Sequence, residues 1–443
     1  MKLDPARTGH LKGRYHHLKA PGVDVPPAQR DPKVITTVSE MLSTIEQGGM
    51  DSVMKYAGQL DRWDGRDPEL TAGDVERLVS GLSAELRAAL DLGRERTAAF
   101  AEVSRSKLTD FEAEIAPGLV TGVRYVPVRR VGAYLPAGRF PLLASASMTV
   151  NVARVAGVSS VLACTPPQPH GGPDAAVVYA AHISGADRIF VLGGVQALAA
   201  MAFGLLGEPP VDMLVGAGNA YVAEAKRQLF GAVAIDLPAG PSEVAVIADD
   251  TADPVLVAAD LLGQAEHGPE SPAALVTTSE TLGQRVLQEV ARQIDELKTQ
   301  EIVRVSWADH GSIIVAEDRE VAAELMDDLA PEHLEIITAD DDWYHEHLSN
   351  YGSIFLGTWS TVAYSDKGMA GTNHTLPTAG GARHSAGLSV SRFLKALTYQ
   401  RVARAATPLL ADAVDVISEY EGMAAHRATA TLRTARFAEE GSV

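Results

Sequence analysis

The stretch "DRIFVLGGVQALAAMAFG" runs from Asp187 to Gly204. It has three parts: a short apolar run, a double glycine, and an Ala-rich run of helical character. That is a strand, a tight turn and a helix, most of one βαβ unit. The layout recurs along the chain. "VSSVLAC" (158–164), "VDMLVGAG" (211–218), "VAIDLP" (233–238) and "EVAVIAD" (243–249) are strand candidates, each followed by Gly/Pro punctuation or a helical stretch. "PAALVTTSE" (272–280) and "GSIIVAED" (311–318) extend the alternation. Strands alternating with helices predict an α/β fold with parallel sheet.

On either side the pattern changes. From Val34 to Thr109 apolar residues recur at three- and four-residue spacing, which predicts helices. Residues 1–30, rich in Pro, His and basic side chains, read as an arm that becomes ordered in an oligomer. From about Ala386 the chain turns helical again, through "EYEGMAAHRATATLRTARFAEE" (419–440), and that tail reads as a helical arm rather than part of a sheet. A chain of 443 residues exceeds one ordinary domain. A formal charge of -19 argues against nucleic acid or an anionic membrane as partner. No run of eighteen apolar residues occurs, and the N-terminus "MKLDPARTGHLKGRYHH" lacks the apolar core of a secretory signal. The single cysteine, Cys164, excludes an intrachain disulfide framework and fits a reducing cytoplasm. Within "SSVLACTPP" it reads as a buried strand-end residue rather than a nucleophile.

The dinucleotide fingerprint G-x-G-x-x-G is missing, and so is the Gly-Lys step of a P-loop. "VGAGNAYV" (215–222) comes nearest. Gly216 and Gly218 either admit a phosphate to a helix N-terminus or make a plain tight turn, and the Gly193–Gly194 turn poses the same choice. In "VGAYLPAGRFP" (131–141), Tyr134 either stacks on a nucleotide base or packs locally. "DLLGQAEHGPE" (260–270) closes a helix expected to start at Asp253-Pro254 and to stop at Gly268-Pro269. That helix is apolar nearly all round, yet its last turn puts Gln264 and His267 on one face, for packing or for a common ion. Gln is an unusual zinc ligand. "APEHLEI" (330–336) sets Glu332 and His333 on a loop or strand edge after Pro331, as an acid–base pair or as ordinary surface. "YSDKGMAGTNHTLPT" (364–378) gathers Asp366, Lys367, Asn373 and His374 in a Gly-rich loop, with Asp366 and His374 as candidate metal ligands. Glu421 and His426 lie in the C-terminal helical region, where a lone His is normally a solvated residue.

Together these segments change the reading. "GAYLPAGRFP", "GGVQALAA", "VGAGNAYVAEAKRQ", "DLPAGPSEV", "DLLGQAEHGPES", "APEHLEI", "GTNHTLPT" and "AAHRATATLR" resemble, in order and spacing, the histidinol dehydrogenase family over residues 30–435. The resemblance implies a zinc- and NAD-dependent enzyme that oxidises a primary alcohol to a carboxylate through a bound aldehyde, using two NAD+ in turn. It implies two incomplete Rossmann-like parallel-sheet domains with small helical N- and C-terminal arms, in an intertwined homodimer. The corresponding division is an arm over 1–30, a zinc and substrate domain from 31–133 and 240–380, an NAD domain over 134–239, and an arm over 381–443 that reaches the partner. By motif, Gln264, His267, Asp366 and His426 resemble the zinc ligands, His426 coming from the partner. Glu332 and His333 resemble the acid–base pair. Tyr134, Gln196 and Asn219 match NAD positions, and Ser242, His374 and Glu421 match substrate positions.

Two stretches depart from the family's biosynthetic pattern. Lys367 follows the Asp where the family usually has Gly-Asp-Tyr, and one extra residue precedes Gly371. The loop "PAGRFPLLASASM" (136–148) carries Arg139 where a Gly-Thr-Ala-Pro type of sequence is expected. Both features resemble the branch that oxidises sulfopropanediol (2,3-dihydroxypropane-1-sulfonate) to sulfolactate. That substrate is an anion without an imidazole, so a basic pocket residue suits it. Arg139 otherwise serves an external salt bridge or an NAD phosphate. A related polyol fits the same reading; L-histidinol oxidised to L-histidine is the alternative substrate, and an inactive zinc-binding structural or regulatory paralogue is the alternative of another class.

Overall fold

The computed structural model describes residues 1–23, 31–64, 67–138, 140–169 and 171–440. The chain divides into two units: Met1–Val103 with Val128–Phe393, and Ser104–Pro127 with Leu394–Val443.

The first unit holds two parallel sheets, and each follows the same winding. One contains β1 (Arg130–Tyr134), β2 (Ser160–Thr165), β3 (Arg188–Val191), β4 (Met213–Val215) and β5 (Ala234–Ile235), in the order β3-β2-β1-β4-β5. The other contains β6 (Val244–Ala248), β7 (Ala273–Thr277), β8 (Gly311–Ala316), β9 (His333–Ile337) and β10 (Ser353–Leu356), in the order β8-β7-β6-β9-β10. Every pairing among these ten strands is parallel. Strands β6 and β7 are buried at every position, which is why they read as continuous Val/Ala/Ile runs. The α/β fold with parallel sheets is as expected from the βαβ pattern.

Three details differ from expectation. Tyr15–Lys19, inside the expected arm, is an antiparallel edge strand on β8 of its own chain. "YHHLK" has no apolar alternation to announce it; the open edge of β8 supplies its hydrogen bonds. Helix α1 (Pro32–Leu60) was grouped with the second sheet, but its Val38, Met41 and Ile45 pack into the core beneath the first, with Phe190 and Leu198. The C-terminal tail is not wholly helical. Leu394–Val402 forms an antiparallel strand on Leu119–Pro127, itself paired with Phe111–Ala116, and these three strands belong to the second unit. Helices Thr407–Glu421 and Ala424–Glu440 follow, packed on one another across a left-handed Gly422. Among the described residues, no helix is long and apolar enough to cross a membrane.

Candidate active site

In a doubly wound sheet the ligand crevice opens where the winding reverses, outside the carboxyl ends of the central strands. In the first sheet that point lies between β1 and β4. Tyr134 ends β1 and Gly216 follows β4. The backbone passes so closely there that a Cβ on Gly216 would sit 2.1 Å from the Tyr134 carbonyl oxygen, and its φ of +119° belongs to glycine. The loop is braced from below by a buried ion pair, Lys226 with Asp236. Gly216 N–H donates to Asp236 (2.7 Å), and Lys226 Nζ donates to the Gly216 carbonyl (2.8 Å). Asn219 caps helix α3 (Ala220–Leu229), its side chain accepting from Tyr221 N and Val222 N.

The turn after β3 is built differently. Asp61 accepts from Gly193 N–H (3.0 Å) and from Gln196 Nε2 (2.8 Å), so a carboxylate already fills the N-terminus of helix α2 (Gly194–Ala202). Of the two readings of the Gly193–Gly194 turn, the structure holds the plain tight turn, closed by Asp61. Gln196 is buried with its Oε1 left without a donor, an acceptor kept in reserve beside the crevice. Tyr134 is buried, its hydroxyl accepting from Gly194 N–H at 3.2 Å, and burial pushes its pKa up to about 12. Cys164 ends in the apolar interior of β2, where burial raises its thiol pKa and leaves it unreactive.

The reactive side chains collect at the opposite, amino ends of β6 and β9. Helix α4 (Pro254–Ala265) begins as expected, with Asp253 capping Val255 N–H. It stops at Ala265, earlier than Gly268, so Gln264 sits on the last turn while His267 lies in the turn beyond it. Gln264 is buried with its amide nitrogen unpartnered. His267 Nε2 is 3.6 Å from Asp366 Oδ2. Asp366 ends the five-residue helix α5 (Val362–Asp366) and also faces His333 Nε2 (3.9 Å) and His374 Nδ1 (3.8 Å) from its other oxygen. The extra residue before Gly371 therefore leaves Asp366 within the histidine cluster.

His333 opens β9 and is almost wholly buried. Its Nδ1 pairs with the Glu243 carbonyl at 3.0 Å. A carbonyl only accepts, so Nδ1 carries the hydrogen and the lone pair is at Nε2. Nε2 has no hydrogen-bond partner. Burial lowers the pKa of His333, partly offset by the Asp366 carboxylate. Glu332 is held by Ser242 Oγ (2.7 Å) and Glu243 N–H (2.9 Å), both donating to Oε2. Burial nevertheless raises its pKa well above the carboxylate range, and these two donors only moderate the shift. A cavity of about 320 Å³ is lined by Ser242, His267, Glu332, His333, Asp366, Lys367 and His374. His374 has its pKa lowered by burial first, with Lys367 adding to the effect. Asn373 is spent on structure, donating to the Met148 carbonyl and accepting from Thr375 N–H.

Glu421 and His426 belong to the second unit, where Glu421 ends one exposed helix and His426 lies exposed near the start of the next. Arg139 lies outside the described residues. Three participants escaped sequence reading: Asp61, the Lys226–Asp236 pair and Glu243. The only signal for Glu243 is a charge abutting the apolar strand in "GPSEV", and Asp61 gives none.

The family model for histidinol dehydrogenase matches residues 26–434. The chain belongs to the histidinol dehydrogenase family. A histidinol dehydrogenase homolog of Shouchella clausii is 46% identical, over 91% of this chain and 95% of its own. The sulfopropanediol 3-dehydrogenase of Ruegeria pomeroyi is 44% identical, over 90% of this chain and 92% of its own. The crystal structure of histidinol dehydrogenase from Elizabethkingia anophelis superimposes with a TM-score of 0.88 at 31% identity, covering 95% of this chain and 99% of that one.

Members of the family are generally zinc- and NAD-dependent. Among the described residues, no three His, Cys, Asp or Glu side chains close on one point as a metal cage. The donors that do approach are the His267 imidazole and the Asp366 carboxylate, with the buried Gln264, whose amide oxygen can ligate, three residues before His267. An N/O set of imidazole, carboxylate and amide fits zinc with positions still open. The unfilled Gln196 acceptor and the Gly216 cradle fit a dinucleotide at the switch point.

Proposed function

We propose that the protein oxidises a primary alcohol bearing an anionic group to the carboxylate with two NAD+, sulfopropanediol being the substrate that suits the site best. The observation that carries this substrate reading is Lys367. It lines the reactive cavity, and it makes no ion pair with the described carboxylates. An ammonium beside the reacting groups suits a sulfonate or carboxylate on the substrate. The 44% identity to a sulfopropanediol dehydrogenase supports the same choice.

Bound zinc would be held by Gln264, His267 and Asp366, with His426 contributed by the partner subunit, and it would supply Lewis acidity at the reacting oxygen. Bound NAD+, near Tyr134, Gln196 and Asn219, would accept hydride. Within the chain, His333 Nε2 takes the alcohol proton, because Glu243 fixes its tautomer and leaves that lone pair free. The aldehyde must next be hydrated. Glu332, its basicity raised by burial, is placed to take the water proton and return it later. Ser242 and His374, both on the cavity, would hold the substrate in this scheme. Keeping the aldehyde inside the cavity limits its side reactions.

The second copy is part of the proposal. Helix Thr407–Glu421 exposes Leu409 (74%), Val416 (70%) and Tyr420 (95%), an apolar surface that a homodimer would cover. His426, on the next helix, would then enter the partner's site.

NADH formation measured with sulfopropanediol and L-histidinol side by side decides the substrate. The expected result is a kcat/KM for sulfopropanediol far above that for L-histidinol. Preference for L-histidinol would overturn the anion reading, and no NADH from either would favour an inactive paralogue. Lys367→Met should raise KM for the anionic alcohol about tenfold or more, the worth of one charge-assisted hydrogen bond, with kcat less affected. An unchanged KM would remove Lys367 from substrate recognition.

A further inference from the structure

Asp260 and Glu335 stand inside two of the motifs already quoted, yet the chemistry above uses neither. Asp260 lies on α4, one turn before Gln264, and Glu335 lies on β9, two residues after His333. Glu335 is completely buried. Both carboxyls reach the start of α5. Thr361 Oγ donates to Asp260 Oδ1 at 3.0 Å, and Val362 N–H donates to Glu335 Oε1 at 2.8 Å. Thr361 caps α5, Val362 is its first residue, and Asp366 is its last. A helix of five residues has no stability of its own, so its direction is set by what grips its ends.

The two carboxyls thus bind adjacent residues, Thr361 and Val362. The other oxygen of Glu335, Oε2, is buried without a hydrogen-bond partner. An ionised carboxylate only accepts, so a buried oxygen left without a donor is relieved by a proton. Burial raises the pKa of both groups, Glu335 well above the usual range, which favours holding that proton.

We propose that Asp260 and Glu335 share one proton and together form a positioning pair that fixes Asp366 relative to His267 and His333. The pair joins the three elements that deliver the site: α4 with Gln264 on its last turn and His267 just beyond its end, β9 with His333, and α5 with Asp366. This assignment rests on the reading of those residues as the working site, but neither of its main measurements requires turnover.

The test uses the full-length, zinc-loaded protein. Infrared difference spectra at neutral pH, wild type against Glu335→Gln and against Asp260→Asn, should each show the C=O stretch of a buried protonated carboxyl that the variant lacks. Zinc release to a competing chelator should stay close to wild type in Glu335→Gln, whose amide N–H replaces the shared proton. It should be faster by about 10- to 100-fold in Glu335→Leu and in Thr361→Val, the range found when groups that orient metal ligands are lost. Circular dichroism should be unchanged in Thr361→Val, which carries the test if Glu335→Leu does not fold. A wild-type spectrum without the protonated-carboxyl band would overturn the shared proton. Zinc held as tightly by Thr361→Val as by wild type would overturn the positioning role, and so would a wild-type protein that takes up no zinc. A protein that passes both measurements but oxidises no alcohol would refute the proposed reaction and leave the pair standing.

Discussion

Replacing His333 by Ala lowers kcat for alcohol oxidation by about 100- to 10,000-fold, the usual worth of a positioned general base. The expectation follows from one geometric fact: Nδ1–H is committed to the Glu243 carbonyl, so the buried Nε2 lone pair has no other partner. Glu332→Gln should divide the reaction instead. Gln keeps a side-chain oxygen for Ser242 Oγ and Glu243 N–H but cannot take a proton from water. Single-turnover kinetics with the alcohol should show the first hydride transfer largely spared, and with the aldehyde the second strongly slowed. Equal losses in both halves would sink this division of labour. The pH dependence should separate the halves too. A base works only when deprotonated, so each half-reaction falls as pH drops through the pKa of its own base. Burial raises the pKa of Glu332 and lowers that of His333. Alcohol oxidation should therefore persist to lower pH than an ordinary imidazole base allows, and aldehyde oxidation should fail at higher pH than with an ordinary carboxylate base. Pre-steady-state pH profiles in which either half-reaction shifts the other way would contradict its assigned base.

Mixing two inactive variants, His267→Ala and His426→Ala, should restore activity to roughly a quarter of wild type. On the proposed ligand set, each variant alone would lack one zinc donor in every site. If His426 serves the partner's site, a mixed dimer gathers both defects in one site and leaves the other intact. Random pairing makes half of the dimers mixed, and each has one good site of two. The reasoning starts from placement: His267 lies in the first unit and His426 in the second, on an exposed helix beside the apolar surface of Thr407–Glu421. If His426 completes its own chain's site, every site keeps one defect and mixing recovers nothing. Mass measurement of the refolded dimers confirms that mixing took place.

Local features were legible in the sequence, and the features that depend on distant partners were not. The start of α4 at Asp253-Pro254 is a local signal, because a capping carboxylate and a first-turn proline act on adjacent backbone. The buried strands announce themselves through unbroken apolar runs. Asp366, Lys367 and His374 stood out because a Gly-rich loop with such residues has little packing to do, and Glu332 and His333 as an adjacent acid and base; the structure gathers all five on one cavity. Tyr15–Lys19 and Leu394–Val402 gave no comparable signal. Each is an edge strand, stabilised by hydrogen bonds to a neighbour about 300 or about 270 residues away, with much of its surface exposed. Asp61 fills the N-terminus of a helix more than 130 residues on, and the Asp260–Glu335 pair joins side chains 75 positions apart. Such carboxyls look like ordinary polar residues in a linear reading. Their meaning comes from burial, which turns an unremarkable Asp or Glu into a group that must be paired or protonated.

The most direct test of the central claim is the stoichiometry of NADH formed per molecule of limiting sulfopropanediol by the wild-type, zinc-loaded protein. Two NADH per alcohol, with the carboxylate as the only product and no aldehyde trapped by an external amine, is the predicted result. One NADH with aldehyde released to solution, or none at all, would contradict it.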